Sequence, residues 1–158
     1  MGRRMNYYNI DLKDMDNAHF LIGLLNAMMN NFQTVGDTFF EEMSWKQCFV
    51  MICIGLFEEP PTLKELSELM GSSHQNVKKM VEKLEKNGYI SVQTDEQDRR
   101  KQRLQLTQKT ADFNKHYSQP SEEFMQYLFG GIDRNELEVT VKTLMTIDRR
   151  LKEYKMKR

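Results

Sequence analysis

The stretch from Asp98 to Thr107 reads DRRKQRLQLT, with Arg99, Arg100, Lys101 and Arg103 crowded behind one acid before apolar residues alternate. Guanidinium and ammonium groups packed this closely suit a phosphate-rich groove. Asp98 and Arg100 are two apart, so an extended segment points both side chains to the same side. The plainer reading is edge protection of a hairpin by charge, which accounts more easily for one or two cations than for four. A second polar set precedes it: Ser73, His74, Gln75, Asn76, Lys78 and Lys79. They open a helix whose Val77, Val81 and Leu84 return every three to four positions to form its buried face. Alone, these residues describe a solvated helix face; beside the basic stretch, they describe a second set of hydrogen-bond donors.

Catalytic and metal chemistry find little footing. There is no Gly-rich phosphate loop and no nucleophile elbow, and His19, His74 and His116 are scattered without metal-ligand spacing. No enzyme activity, metal or cofactor is expected. Lys plus Arg and Asp plus Glu balance at 23 each, so bulk charge names no partner. The distribution does: between Ser72 and Lys115, ten cations face six acids, a local +4 against −4 for the rest. A basic middle of this kind is an electrostatic footprint for nucleic acid. Cys48 and Cys53 are the only cysteines, and on one helix they face different directions and cannot close a disulfide. Phe49 to Phe57 is the most apolar run, far short of the roughly 20 residues that span a bilayer. No membrane partner is expected, and the chain reads as cytoplasmic.

The elements that must position the two polar sets follow from period and caps. Met1 to Asn9 carries no periodicity and reads as frayed, and a long helix is predicted from about Asp14 to Phe40. Ser44 and Gln47 form a capping box for a helix from Trp45 to about Glu58, stopped at Pro60-Pro61. Thr62 and Glu65 open a short helix that Gly71 ends, and Ser73 opens the next, which runs to about Asn87. Two helices joined by a Gly-Ser-Ser turn make a helix-turn-helix. After Gly88 the period becomes two, giving a hairpin through Ile90, Val92, Leu104 and Leu106. Thr107 is placed to cap a further helix, which Pro120 should kink or break near Ser118. Asp133 opens a last helix with Leu137, Val141, Leu144 and Leu151 on one face.

A helix-turn-helix followed by a hairpin wing is a winged helix, and two stretches narrow it. LKELSELMGSSHQNVKKMVEKLEKNGYI, Leu63 to Ile90, and DEQDRRKQRLQLT, Asp95 to Thr107, resemble the recognition module and the Asp-x-Arg…Leu-Thr wing of the MarR family of transcriptional regulators. The resemblance implies a mainly α fold with a small β-hairpin: a winged helix-turn-helix flanked by N- and C-terminal dimerisation helices, in a six-helix, three-strand subunit. The implied organisation is an N-terminal dimerisation helix in 1–43, the DNA-binding domain in 44–107 and C-terminal dimerisation helices in 108–158. It further implies a homodimeric repressor that binds a palindromic double-stranded DNA operator and is released by a small-molecule or stress signal. The N-terminal half of the helix after Ser73 would enter the major groove. There Gln75 or Asn76 would pair with an adenine edge, Lys78 or Lys79 would reach guanine or phosphate, and His74 would donate to phosphate. Asp98 would orient Arg100 into the minor groove while Arg99, Lys101 and Arg103 hold flanking phosphates. A small aromatic effector would sit among Tyr7, Tyr8, Trp45 and Met51, although the same residues could simply pack. The sequence departs from the family pattern at Ser72, usually apolar, at Thr110, often Gly, and at Pro120. The alternative is a winged-helix protein-interaction module, or a ligand- or redox-sensing protein that binds no DNA directly; Cys48 and Cys53 are read as oxidant sensors or, the commoner case, as buried structural cysteines.

Overall fold

Capping chemistry sets most of the element boundaries. The computed structural model describes residues 15–157. Their order is α1 (Asn17–Phe39), α2 (Trp45–Gly55), α3 (Leu63–Met70), α4 (His74–Lys86), β1 (Ile90–Thr94), β2 (Gln102–Leu106), α5 (Gln108–Phe129) and α6 (Arg134–Met156). Tyr7, Tyr8 and the frayed start expected at Met1 to Asn9 lie outside the described residues. The fold is mainly helical with one small antiparallel hairpin. The chain divides into two compact units, with the division between Ala111 and Asp112.

The capping boxes at Ser44/Gln47 and Thr62/Glu65 both close reciprocally. Ser73 caps α4 by accepting from the Asn76 N–H at 3.3 Å, and Asp133 caps α6. Asp16, unassigned from the sequence, caps α1 by accepting from the N–H groups of Ala18 and His19. Gly71 ends α3 in the left-handed region, as its position predicts. At the end of α4, Gly88 takes φ +79°, and the Tyr89 N–H reaches back to the Leu84 carbonyl at 2.9 Å. That six-to-one bond turns the chain sharply from α4 into the hairpin.

In the first unit, α2, α3, α4 and the hairpin pack together around Val50, Cys53, Ile54, Leu66, Val77, Val81, Leu84, Ile90 and Leu104, all buried. The hairpin pairs Ile90 with Leu106, Val92 with Leu104 and Gln93 with Arg103. Ile90 and Leu104 supply the inward face that the alternation predicts.

Two expectations change and one is extended. The third strand is reduced to one bond, from the Leu104 N–H to the Pro61 carbonyl at 2.8 Å. Pro60 and Pro61 have no N–H to return, so a ladder cannot propagate. Thr107 stands at the cap position of α5, where its carbonyl accepts from the Thr110 and Ala111 N–H groups, but its hydroxyl proton is shared between the Gly88 and Tyr89 carbonyls and ties the hairpin's two ends together. Pro120 does not break α5, which is helical from Gln108 to Phe129. The bond it forfeits is to the carbonyl of exposed His116, where water can replace it. The Thr110 departure has a structural use: its side chain is buried and donates to the Tyr89 carbonyl at 2.6 Å.

Candidate nucleic-acid interface

The candidate interface comprises the first half of α4 and the loop between β1 and β2. Burial of Val77, Val81 and Leu84 fixes the rotation of α4 about its axis. That rotation leaves His74, Gln75, Asn76, Lys78 and Lys79 exposed, with Ser73 exposed at the cap. The Ser73 oxygen is engaged by the Asn76 N–H, so it holds the helix start in place and keeps its hydroxyl proton for donation. The first-turn N–H groups and the positive end of the helix dipole add to the local field. Lys78 stands 3.7 Å from Glu82, an exposed pair loose enough for a phosphate to compete with it.

The wing tip is organised by two carboxylates in series. Asp95 accepts from the N–H groups of Gln97 and Asp98 at 2.9 and 2.7 Å, which folds the loop. Asp98 then accepts from the Arg100 N–H at 3.1 Å and from its Nε at 3.3 Å. The Arg100 side chain is nonetheless 93% exposed, so it is aimed without being covered. The Lys101 ammonium lies 3.9 Å from Asp98, and Arg99 is exposed.

Arg103 is held by the protein itself on several sides. Its Nε donates to Asp95 at 2.6 Å, and its Nη1 donates to the Pro60 carbonyl at 3.2 Å and lies 3.5 Å from Glu65. Only 27% of the side chain is exposed. A guanidinium held by two carboxylates and a carbonyl is committed to the protein rather than offered to solvent. The donation from Arg103 holds the Asp95 carboxyl down to about 2, with help from the loop N–H groups. Glu65 is lowered chiefly by its Thr62 hydrogen bonds, with a smaller contribution from Arg103.

Asp95, Glu65 and Pro60 were not singled out as site residues from sequence, although the register contained the signal. Arg103 pairs with Gln93, and Asp95 lies two residues on from Gln93, just past the end of β1, in a diagonal position to Arg103. The carbonyl of Pro60 and the tertiary approach of Glu65 carried no such signal.

The two thiols sit apart from this interface. Both are free and buried, and burial pushes the Cys48 thiol up to about 11 and raises Cys53 as well. Among the described residues, no cluster of His, Cys, Asp and Glu could hold a metal ion, and no helix is long and apolar enough to cross a membrane.

Two helices, α3 and α4, joined by a glycine turn and followed through Gly88 by a basic hairpin define a winged helix-turn-helix protein. Residues 43–101 match the model of the MarR family. The chain is 33% identical over 88 residues to the transcriptional repressor MprA of Escherichia coli, a match that covers 53% of this chain and 50% of that protein. It therefore spans about half the length of this curated relative. Among solved structures, a MarR/EmrR family transcriptional regulator from Acinetobacter sp. ADP1 superposes with a TM-score of 0.75 at 15% identity, covering 88% of this chain and 99% of the other. Streptococcus pneumoniae FabT, solved in complex with DNA, gives 0.64 at 22% identity, covering 87% and 99%. The chain thus has the winged-helix fold of the MarR-family transcriptional regulators.

Proposed function

We propose that this protein is a sequence-specific DNA-binding transcriptional regulator, acting as a homodimeric repressor on a palindromic operator. The observation that carries the reading is the joint presentation of α4 and Arg100. One helix exposes hydrogen-bonding side chains at its N-terminal half, and Asp98 holds an exposed guanidinium at the wing tip. In this reading Gln75 and Asn76 read base edges in the major groove, and Lys78 and Lys79 reach guanine or phosphate. Ser73 and His74 donate to phosphate at the helix start. Arg100 enters a minor groove, favouring a narrow A·T-rich one, while Arg99 and Lys101 hold flanking phosphates. Arg103 is reassigned from DNA contact to wing support. The naming of MprA as a repressor and the solution of FabT with DNA are consistent with this direction.

Release by a small-molecule signal is part of the proposal. Trp45 stacks with Phe32, Phe40 and Phe49 at centroid distances of 6.3 to 6.5 Å, an aromatic cluster beside which we place an aromatic effector. Oxidant sensing by Cys48 or Cys53 is disfavoured, because burial suppresses the thiolate that would react.

Selection of binding sites from random DNA tests the function, and a palindrome with half-sites about one helical turn apart is the expected result. Arg100→Ala should weaken binding to the selected duplex and reduce the preference for A·T in the flanks. Lys101→Ala should weaken all sequences alike and lower the salt slope by roughly one unit. Failure of the wild-type protein to enrich any sequence would refute the reading.

A further inference from the structure

The contacts behind the wing form one continuous path. At its base, the Pro60 carbonyl and Glu65, at the start of α3, hold the Arg103 guanidinium. Arg103 holds Asp95, whose other oxygen accepts the loop N–H groups of Gln97 and Asp98. Asp98 in turn holds the backbone and side chain of Arg100. Glu65 meets Arg103 as an ion pair at 3.5 Å; the other links are hydrogen bonds with a charged donor or acceptor, stronger and more directional than neutral ones. The path starts on the helix-turn-helix and ends on a wing side chain that is 93% exposed.

A two-stranded hairpin has little stiffness of its own, and here the third strand that would flank it is a single bond from Leu104 to Pro61. The angle between wing and recognition helix therefore needs another restraint. We propose that Arg103 and Asp95 are positioning residues, braced by Glu65 and Pro60, that fix the wing so that Arg100 is presented at a set angle to α4. The inference rests on the DNA-binding reading and adds to it a division of the wing cations: Arg100 touches DNA, whereas Arg103 acts through Asp95. The gain is preorganisation, since a wing ordered before binding does not lose that freedom on binding.

The test is a titration of the full chain against the duplex that the wild-type protein selects from random DNA. Arg103→Gln, Arg103→Lys and Asp95→Asn are measured alone and together with Arg100→Ala. Arg103→Gln should weaken binding about tenfold, with Arg103→Lys between it and wild type and the salt slope unchanged. The loss should largely disappear in the Arg100→Ala background, because a brace has nothing to position there. A salt slope that falls by about one unit would make Arg103 a phosphate contact and overturn the proposal. An equal loss in both backgrounds would make the residues merely structural and overturn it too. In the free protein, Arg103→Gln should speed hydrogen exchange at the Gln97 and Asp98 amides and leave Val77 to Leu84 protected. Unchanged exchange in the wing would overturn the brace. A wild-type protein that selects no DNA refutes the functional reading, whereas selection by wild type with unaltered variants refutes the brace alone.

Discussion

Asp95 and Cys48 show how one residue's surroundings decide its chemistry. The Asp95 carboxyl is held at about 2 in the folded chain, below its unfolded value of roughly 3.9. A depressed folded value means that the stabilisation is fully present above the unfolded value and is lost as the pH falls toward 2. The wing should therefore keep its amide protection from neutral pH down to about pH 4 and lose it on further acidification. A carboxyl titration followed by NMR, with a midpoint near that of a free carboxylate, would contradict this. Cys48, pushed up to about 11 by burial, should alkylate at pH 8 on the order of a hundredfold more slowly in the native protein than in the unfolded chain. Rapid native labelling by iodoacetamide would reopen the redox reading.

At the scale of elements, the joint between α1 and α2 is set by contact as much as by caps. Gly36 is buried, and a Cβ there would stand 2.7 Å from the Trp45 Cβ and 2.8 Å from its Cγ. The Asp37 carboxylate accepts from the Trp45 N–H at 2.8 Å, just after that close approach. Gly36→Ala should cost about 1–3 kcal/mol through overpacking. Chemical denaturation measures it, and an unchanged midpoint would mean that α1 and α2 separate freely. The hairpin root is bound equally closely. Tyr89 donates to Glu42, its ring lies 4.5 Å from the Lys109 ammonium, and its carbonyl accepts from Thr107 and Thr110. These contacts join segments far apart in sequence, so neither period nor capping motif announces them.

For the molecule as a whole, the unresolved balance is apolar surface. No residue of α6 is buried, and Leu137, Val141, Met145, Leu151 and Tyr154 are exposed in the single chain. On α1 only Gly36 is buried, while Ile22, Met28, Met29 and Val35 are exposed. Faces of this kind call for a partner, and the proposed homodimer supplies one. Leu151→Glu should shift the protein toward monomer in sedimentation at micromolar concentration and weaken operator binding by removing one half-site. A wild-type protein that sediments as monomer would contradict the dimer.

Local chemistry wrote much of this protein directly into its sequence. Ser44 with Gln47, Thr62 with Glu65, and Ser73 each set a helix start, because a cap is made by residues three positions apart. The change of period after Gly88 placed the hairpin, since alternation and helical spacing cannot share one buried face. The Asp98–Arg100 pairing forms, but through a turn closed by the Lys101 N–H on the Asp98 carbonyl, not through the extended segment that the spacing suggests. Tertiary structure decided what depends on distant backbone. It left the third strand as one bond to Pro61, carried α5 through Pro120, and turned the Thr107 hydroxyl back to the hairpin. It also drew Arg103 away from solvent to Asp95, Glu65 and Pro60. A side chain's type states which bonds it can make; only the fold decides which partners arrive first.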